Sequence, residues 1–227
     1  GVRIAKCCRD MNPKEAYGYY VEAKQKHNVF PNAKSYRNLL SLTAGLGEQG
    51  MGNGPKRTAE TTSIIDAAFD VYKDIKAAKI TLEEPMYTAI IRGCCTNKRA
   101  AEALNIYKDV RRAGVIPKLR MFYPMLALFS ELGDLRVCFE LFNDLTKDFS
   151  IEPTERVYLE MLRLTVESAD ARFYSILDGL IDDIMVPTIE EVVELIKRWF
   201  TERNSNQASG RICSINNNDN NNNNKPY

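Results

Sequence analysis

Side chains able to do acid–base, nucleophilic or metal chemistry are sparse in this sequence. There is one histidine, His27, and six cysteines, at positions 7, 8, 94, 95, 138 and 213. The cysteines form no C-x-x-C, and neighbours in sequence rarely bridge each other, so they read as reduced thiols serving as small core side chains in a reducing compartment. The glycines between Gly47 and Gly54 lack the G-x-x-x-x-G-K-[ST] spacing that cradles a phosphate. Asp182-Asp183 and Glu190-Glu191 can be drawn as a metal cluster, but acids near helix ends more simply make a solvated face and a favourable helix N-terminus. No catalytic residue, metal ligand or cofactor is assigned to this chain.

Binding chemistry is better represented. The formal net charge is only +1, a weak signal for a polyanion partner, but its distribution is uneven. Arg92, Lys98, Arg99, Lys108, Arg111, Arg112, Lys118 and Arg120 crowd one stretch against only Glu102 and Asp109, whereas acids dominate from Glu131 to Glu194. Any polyanion is therefore expected at the middle of the chain.

The elements that position these charges repeat. Ala103, Ile106, Tyr107 and Val110 make one apolar stripe at helical spacing, closed by Gly114 and Pro117. The same stripe begins again at Ala68, Cys138 and Phe173, so the first members at 68, 103, 138 and 173 are 35 residues apart throughout. An aromatic in a preceding helix follows the same rhythm: Tyr36, Tyr87, Phe122 and Tyr158. Ala16, Tyr19, Tyr20 and Ala23 supply an earlier copy. Two helices per unit at a fixed period predict an all-α solenoid in which each unit buries its apolar face against the next. The aromatics at this phase are expected to pack between helices instead of stacking on bases.

Three departures from the period set the boundaries. Tyr36 and Tyr87 are 51 residues apart, so Leu46–Arg57, with four glycines and Pro55, is an insertion of about 16 residues between two helices of one repeat. Thr188–Phe200 follows Pro187 as an amphipathic helix suited to cover the last repeat. Beyond Arg203 the asparagine-rich stretch 204–227 has too little apolar surface to fold and is expected to be a disordered tail or linker. The folded region is thus 1–203. The absence of an initiator Met suggests a fragment or processed form, and no apolar run is long enough to span a membrane.

A 35-residue unit with an early aromatic, an E-A-x-x-ϕ-[FY] second helix (Glu102, Ala103, Ile106, Tyr107) and a closing G-x-x-P resembles the pentatricopeptide repeat. The segment Pro117–Pro124, PKLRMFYP, and the closing Ile189–Phe200, IEEVVELIKRWF, further resemble the repeat domain of protein-only ribonuclease P. The resemblance implies a right-handed solenoid of about five repeats with a C-terminal capping helix, whose first helices line the concave face. It implies a precursor tRNA partner, gripped at the elbow where the D and T loops meet. It also implies a location in the mitochondrion, another organelle or the nucleus, and a parent endonuclease whose Mg²⁺ and structural Zn²⁺ belong to domains absent from this chain. A monomer is the expectation for a solenoid that needs no partner to fold, and the oligomeric state stays open.

In that family a base is read at the fifth position of the first helix, here Asn38, Ala89, Pro124 and Glu160, together with the last residue of the repeat. Only Asn38 is a residue the single-strand code normally uses, which argues against linear reading. Lys34, Arg120 and Arg156 share the first position of their repeats, with Pro85 the exception, and Arg92 and Lys118 extend the stripe. The expectation is that Arg92, Lys118 and Arg120, with Lys34 and Arg156, meet phosphates or loop bases, and that Asn38 hydrogen-bonds an unstacked base. Two alternatives stay open: a protein-interaction scaffold, and an organellar single-strand RNA factor.

Overall fold

The computed structural model describes residues 3, 6–7, 10, 12–27, 31–44, 59–183 and 189–208, without the side chains of 59–63, 189 and 202–208. The described helices are α1 (Pro13–His27), α2 (Ala33–Thr43), α3 (Ala59–Ala77), α4 (Glu84–Thr96), α5 (Ala100–Arg112), α6 (Leu119–Glu131), α7 (Leu135–Asn143), α8 (Glu155–Glu167), α9 (Phe173–Asp183) and α10 (Ile189–Ala208). A π turn, Asp144–Asp148, continues α7. All regular structure among the described residues is helical. The Gly-rich insertion and the asparagine-rich tail beyond Ala208 lie outside them.

Local chemistry sets the helix ends. Asn12 precedes Pro13, and its side chain accepts from the Glu15 backbone N–H at 3.1 Å while donating to the Glu15 carboxylate at 3.1 Å, a reciprocal cap. Gly133 closes α6 in the left-handed region at φ 69°, with Asp134 N–H bonded to the Phe129 carbonyl at 2.9 Å. Lys98 (φ 57°) and Ala169 (φ 50°) hold the matching place in the neighbouring repeats.

The predicted stripes form the core. Ala103, Ile106, Tyr107 and Val110 are buried, as are their counterparts Ala68, Val71, Tyr72 and Ile75. At each junction the second-helix aromatic meets the next first-helix aromatic at an inclined angle: Tyr20 with Tyr36 at 6.0 Å, Tyr72 with Tyr87 at 6.3 Å, Tyr107 with Phe122 at 5.6 Å, and Phe142 with Tyr158 at 5.8 Å. These edge-on contacts are the favoured aromatic geometry. They place the first-helix rings inside the solenoid, away from any base. At the C-terminal end, the buried Trp199 of α10 stacks on Phe173 at 4.7 Å and seals the last repeat.

The two layers are held differently. First helices α2, α4, α6, α8 and α10 approach one another's backbones closely in sequence, and each second helix also packs on the first helices beside it. The second helices from α3 onward come much less close to each other and are bridged by long polar side chains. Tyr20 donates to Asp74, which also takes Lys24 at 2.7 Å. Tyr72 donates to Asp109 at 2.8 Å, joined by Lys76 at 2.7 Å. Tyr107 donates to Asp144 at 2.8 Å, and Arg111 spans Asp144 at 2.6 Å and Asp148 at 2.8 Å. The closer layer is the inner one, so the array curves towards its first helices.

The last helix runs to Ala208, five residues past the boundary expected at 203. Adding a residue to an existing helix fixes one residue for one hydrogen bond, so a polar Asn-Ser-Asn-Gln-Ala stretch continues a helix that it could not start. Free cysteines Cys7, Cys94, Cys95 and Cys138 are buried, and burial pushes the Cys94 and Cys138 thiols up to about 12.

Candidate nucleic-acid interface

Each first helix turns one stripe away from the core, and the chemistry of that stripe is polar. On α2 it is Lys34, Arg37 and Asn38; on α4, Pro85 and Arg92; on α6, Arg120, Tyr123 and Pro124; on α8, Arg156, Glu160 and Arg163. The fold therefore brings Lys34, Asn38, Arg92, Arg120 and Arg156 to one face, with Lys118 at the cap of α6. Ala89 is fully buried, so the reading position of the central repeat offers nothing to a base. Pro124, inside α6, has no N–H to give to the Arg120 carbonyl, which leaves that acceptor without its intrahelical donor.

The cations of this face differ in their bonds. Arg120 Nε donates to Glu84 Oε1 at 3.0 Å and its Nη2 to Oε2. Burial alone would raise the Glu84 carboxyl, but hydrogen bonds from Arg120 and Thr88 hold it below the usual carboxylate range. Arg156 lies over the Tyr123 ring at 4.3 Å, a cation–π contact. Lys34, Arg92 and Lys118 take no hydrogen bond or ion pair among the described residues. Like Arg156, whose contact is a ring and not a carboxylate, they can meet a phosphate without first giving up an ion pair.

Two basic residues of this face escape sequence reasoning. Arg37 pairs with Glu83 at 2.5 Å. Arg163 reaches Glu160, Ser130 Oγ at 3.1 Å and Glu167 at 3.5 Å. Arg163 shares the repeat phase of Arg92, and that register was the available signal.

Apolar surface lies elsewhere. The large exposed hydrophobics, Ile116, Leu132, Tyr174, Ile181, Val193 and Phe200, sit in turns or on α9 and α10, and none is on α2, α4, α6 or α8. Among the described residues, the face formed by α2, α4, α6 and α8 thus offers no apolar groove for an amphipathic partner helix. Among the described residues no group of His, Cys, Asp and Glu is arranged to hold a metal ion, and no helix is long and apolar enough to cross a membrane. Asp183 is engaged by the Tyr158 hydroxyl, and Glu190 and Glu191 stand in the first turn of α10.

A two-layer helical array with aromatic junctions and a polar, cation-bearing inner face defines an α-solenoid of pentatricopeptide repeats. Residues 1–209 match the family model described as the pentacotripeptide-repeat region of PRORP, and the chain belongs to that family. Proteinaceous RNase P 1, chloroplastic/mitochondrial, of Arabidopsis thaliana is 21% identical over 199 residues, covering 87% of this chain and 33% of its own length. This chain therefore spans about a third of that relative. The fold matches the crystal structure of A. thaliana nuclear proteinaceous RNase P 2 with a TM-score of 0.75 at 18% identity, over 87% of this chain and 40% of that one. It matches the PPR domain of A. thaliana protein-only RNase P 1 in complex with tRNA with a TM-score of 0.69 at 20% identity, over 87% and 95%. The maize pentatricopeptide repeat protein PPR10 is more distant, with a TM-score of 0.56 at 13% identity, over 91% and 28%.

Proposed function

We propose that this chain is the RNA-binding module of a protein-only ribonuclease P and holds precursor tRNA at the elbow formed by its D and T loops. The observation that carries the reading is the alignment of Lys34, Arg92 and Lys118, without an ion pair among the described residues, on one inner face of a PRORP-type repeat array, beside Arg120 and Arg156. Phosphate contacts fix register on an RNA without reading its sequence. The reading positions fit that mode: a buried Ala89, a proline at 124 and an Arg163-bound Glu160 cannot spell a base code, and Asn38 alone offers an amide to an unstacked base. A folded RNA recognised by shape fits such a surface better than a single strand does.

In this reading the chain binds and orients the substrate. Removal of the 5′ leader by a metal-activated water, with its Mg²⁺ and the structural Zn²⁺, belongs to other parts of the parent protein. Likeness to a chloroplastic/mitochondrial relative supports an organellar location. Against the scaffold alternative, which rests on the near-neutral net charge and the non-code reading positions, none of the large exposed hydrophobics among the described residues lies on α2, α4, α6 or α8.

Footprinting of a 5′-labelled precursor tRNA with this chain tests the reading. Protection centred on the D and T loops is expected. Protection confined to the anticodon arm, or none at saturating protein, would overturn it.

A further inference from the structure

The polar bridges between second helices follow the 35-residue period, and their fourth member is missing in all its parts at once. Positions 72, 107 and 142 carry Tyr, Tyr and Phe; positions 76, 111 and 146 carry Lys, Arg and Thr; positions 109, 144 and 179 carry Asp, Asp and Gly. The concerted change has a physical logic, because removing one partner alone would leave a partly buried carboxylate or tyrosine hydroxyl short of a hydrogen bond. One carboxylate nevertheless survives. Asp183 stands 35 residues after Asp148, and Asp148 is the group that takes Arg111 Nη2 at 2.8 Å.

The vacated bridge is a cavity of about 400 Å³, open to solvent, whose walls include Phe142, Thr146, Ile176, Gly179 and Asp183. Gly179 keeps it in shape: a Cβ there would lie 3.1 Å from Tyr158 Cε1. The Tyr158 ring takes that space, and its hydroxyl donates to Asp183. Among the described residues no lysine or arginine lines the cavity, and Glu152 adds a second carboxylate to its lining. Among the described residues no cation pairs with Asp183, whereas every earlier bridge contains one.

We propose that this cavity is a docking site for an arginine side chain of a partner polypeptide. A guanidinium is planar, donates along two edges and rests on aromatic faces. Arg111 shows all three properties in the preceding bridge, where it joins Asp144 and Asp148 and lies over Phe149 at 5.8 Å. The incoming arginine completes the fourth bridge in trans, with Asp183 as acceptor and Phe142 in the wall. The two carboxylates repel a phosphate, so nucleic acid is the wrong occupant. The site lies between the second-helix layer and α8, so a protein held here leaves the first-helix face open. It stands independently of the RNA-binding reading.

The test uses the full chain, ¹⁵N-labelled, with the peptides acetyl-Gly-Arg-Gly-amide and acetyl-Gly-Gln-Gly-amide. The arginine peptide is expected to shift the Thr146 and Gly179 amides saturably, with at least a tenfold preference over the glutamine peptide, and Asp183→Asn abolishes the effect. Because Asp183→Asn also alters the acceptor of Tyr158, Thr146→Arg provides the second arm: it supplies the cation from within, and the folded variant no longer responds to the peptide. Equal response to both peptides, no response, a response to a short oligonucleotide instead, or undiminished binding in folded Thr146→Arg would each overturn the proposal.

Discussion

Arg120 and Glu84 stand at the first turns of adjacent first helices, and the guanidinium holds the carboxylate along both of its edges. The Glu84 side chain is only 10% exposed, the most sheltered carboxylate among the ion pairs described on the inner face. It places a cation where a phosphate would arrive and gives that cation an internal competitor. Glu84→Gln should therefore raise affinity for precursor tRNA by roughly threefold to tenfold at low salt, in line with about 1 kcal/mol for such a pair. The salt dependence should steepen by up to about one phosphate contact. Titration by fluorescence anisotropy at two salt concentrations checks this, and unchanged affinity would show that Arg120 serves structure alone.

Arg92 makes the complementary case. With no ion pair to lose among the described residues, Arg92→Ala should leave the unfolding free energy within about 0.5 kcal/mol of the parent, yet weaken tRNA binding and flatten its salt slope by about one unit. Urea denaturation alongside the binding titration separates the two effects.

The turns after the first helices predict a stabilising change. Ala169 sits at φ 50° and is exposed, in the place that Gly133 fills one repeat earlier. A left-handed conformation costs an alanine roughly 1–2 kcal/mol, part of which glycine returns through its freer unfolded chain. Ala169→Gly should raise stability by about 0.5–1 kcal/mol, read as a higher urea midpoint at constant slope.

Gly93 predicts the opposite. A Cβ there would lie 2.7 Å from Ile65 Cδ1 and 2.8 Å from the Ala44 carbonyl oxygen. The side chain can turn aside but the backbone cannot, so Gly93→Ala should cost about 1–3 kcal/mol. The far-ultraviolet spectrum should stay helical while the thermal midpoint falls.

The second-helix bridges predict an acid response. At Asp74 and Asp109 burial favours the neutral acid, but hydrogen bonds from Lys24 and Tyr20, and from Lys76 and Tyr72, outweigh it and hold both carboxyls below their ordinary value. The native state then binds fewer protons than the unfolded chain. The stabilisation is complete above the ordinary value of about 3.9 and is lost as pH falls through the lower folded-state value. The destabilisation caused by Asp109→Asn, measured in urea at pH 7 and near pH 3, should shrink at the lower pH.

How far the sequence reveals this molecule depends on the range of each signal. The stripes at 68, 103, 138 and 173 are legible because burial repeats with the helix and with the repeat. The placement of Tyr36, Tyr87, Phe122 and Tyr158 inside the array is legible for the same reason. Glu84 and Arg120 are not legible as a pair: Arg120 reads as a phosphate-facing cation and Glu84 as an ordinary first-turn charge, and only the contact between successive first helices joins them. Tyr72, Lys76 and Asp109 do recur at the 35-residue period, but as polar residues on an outer layer they resemble solvated surface until the helices are seen side by side. The end of α10 is hidden for another reason, since helix continuation is set by what precedes it and not by the composition of the added residues.

The central claim is that this inner face grips folded tRNA by shape and phosphate. The direct measurement is anisotropy of the chain with labelled precursor tRNA, a hairpin lacking the D and T loops, and a single strand of equal length, each at two salt concentrations. Binding is expected to be tightest to the intact tRNA, to weaken steeply with salt and to fall in Arg92→Ala and Lys118→Ala. Equal binding to all three RNAs, or tighter binding to the single strand, would contradict it.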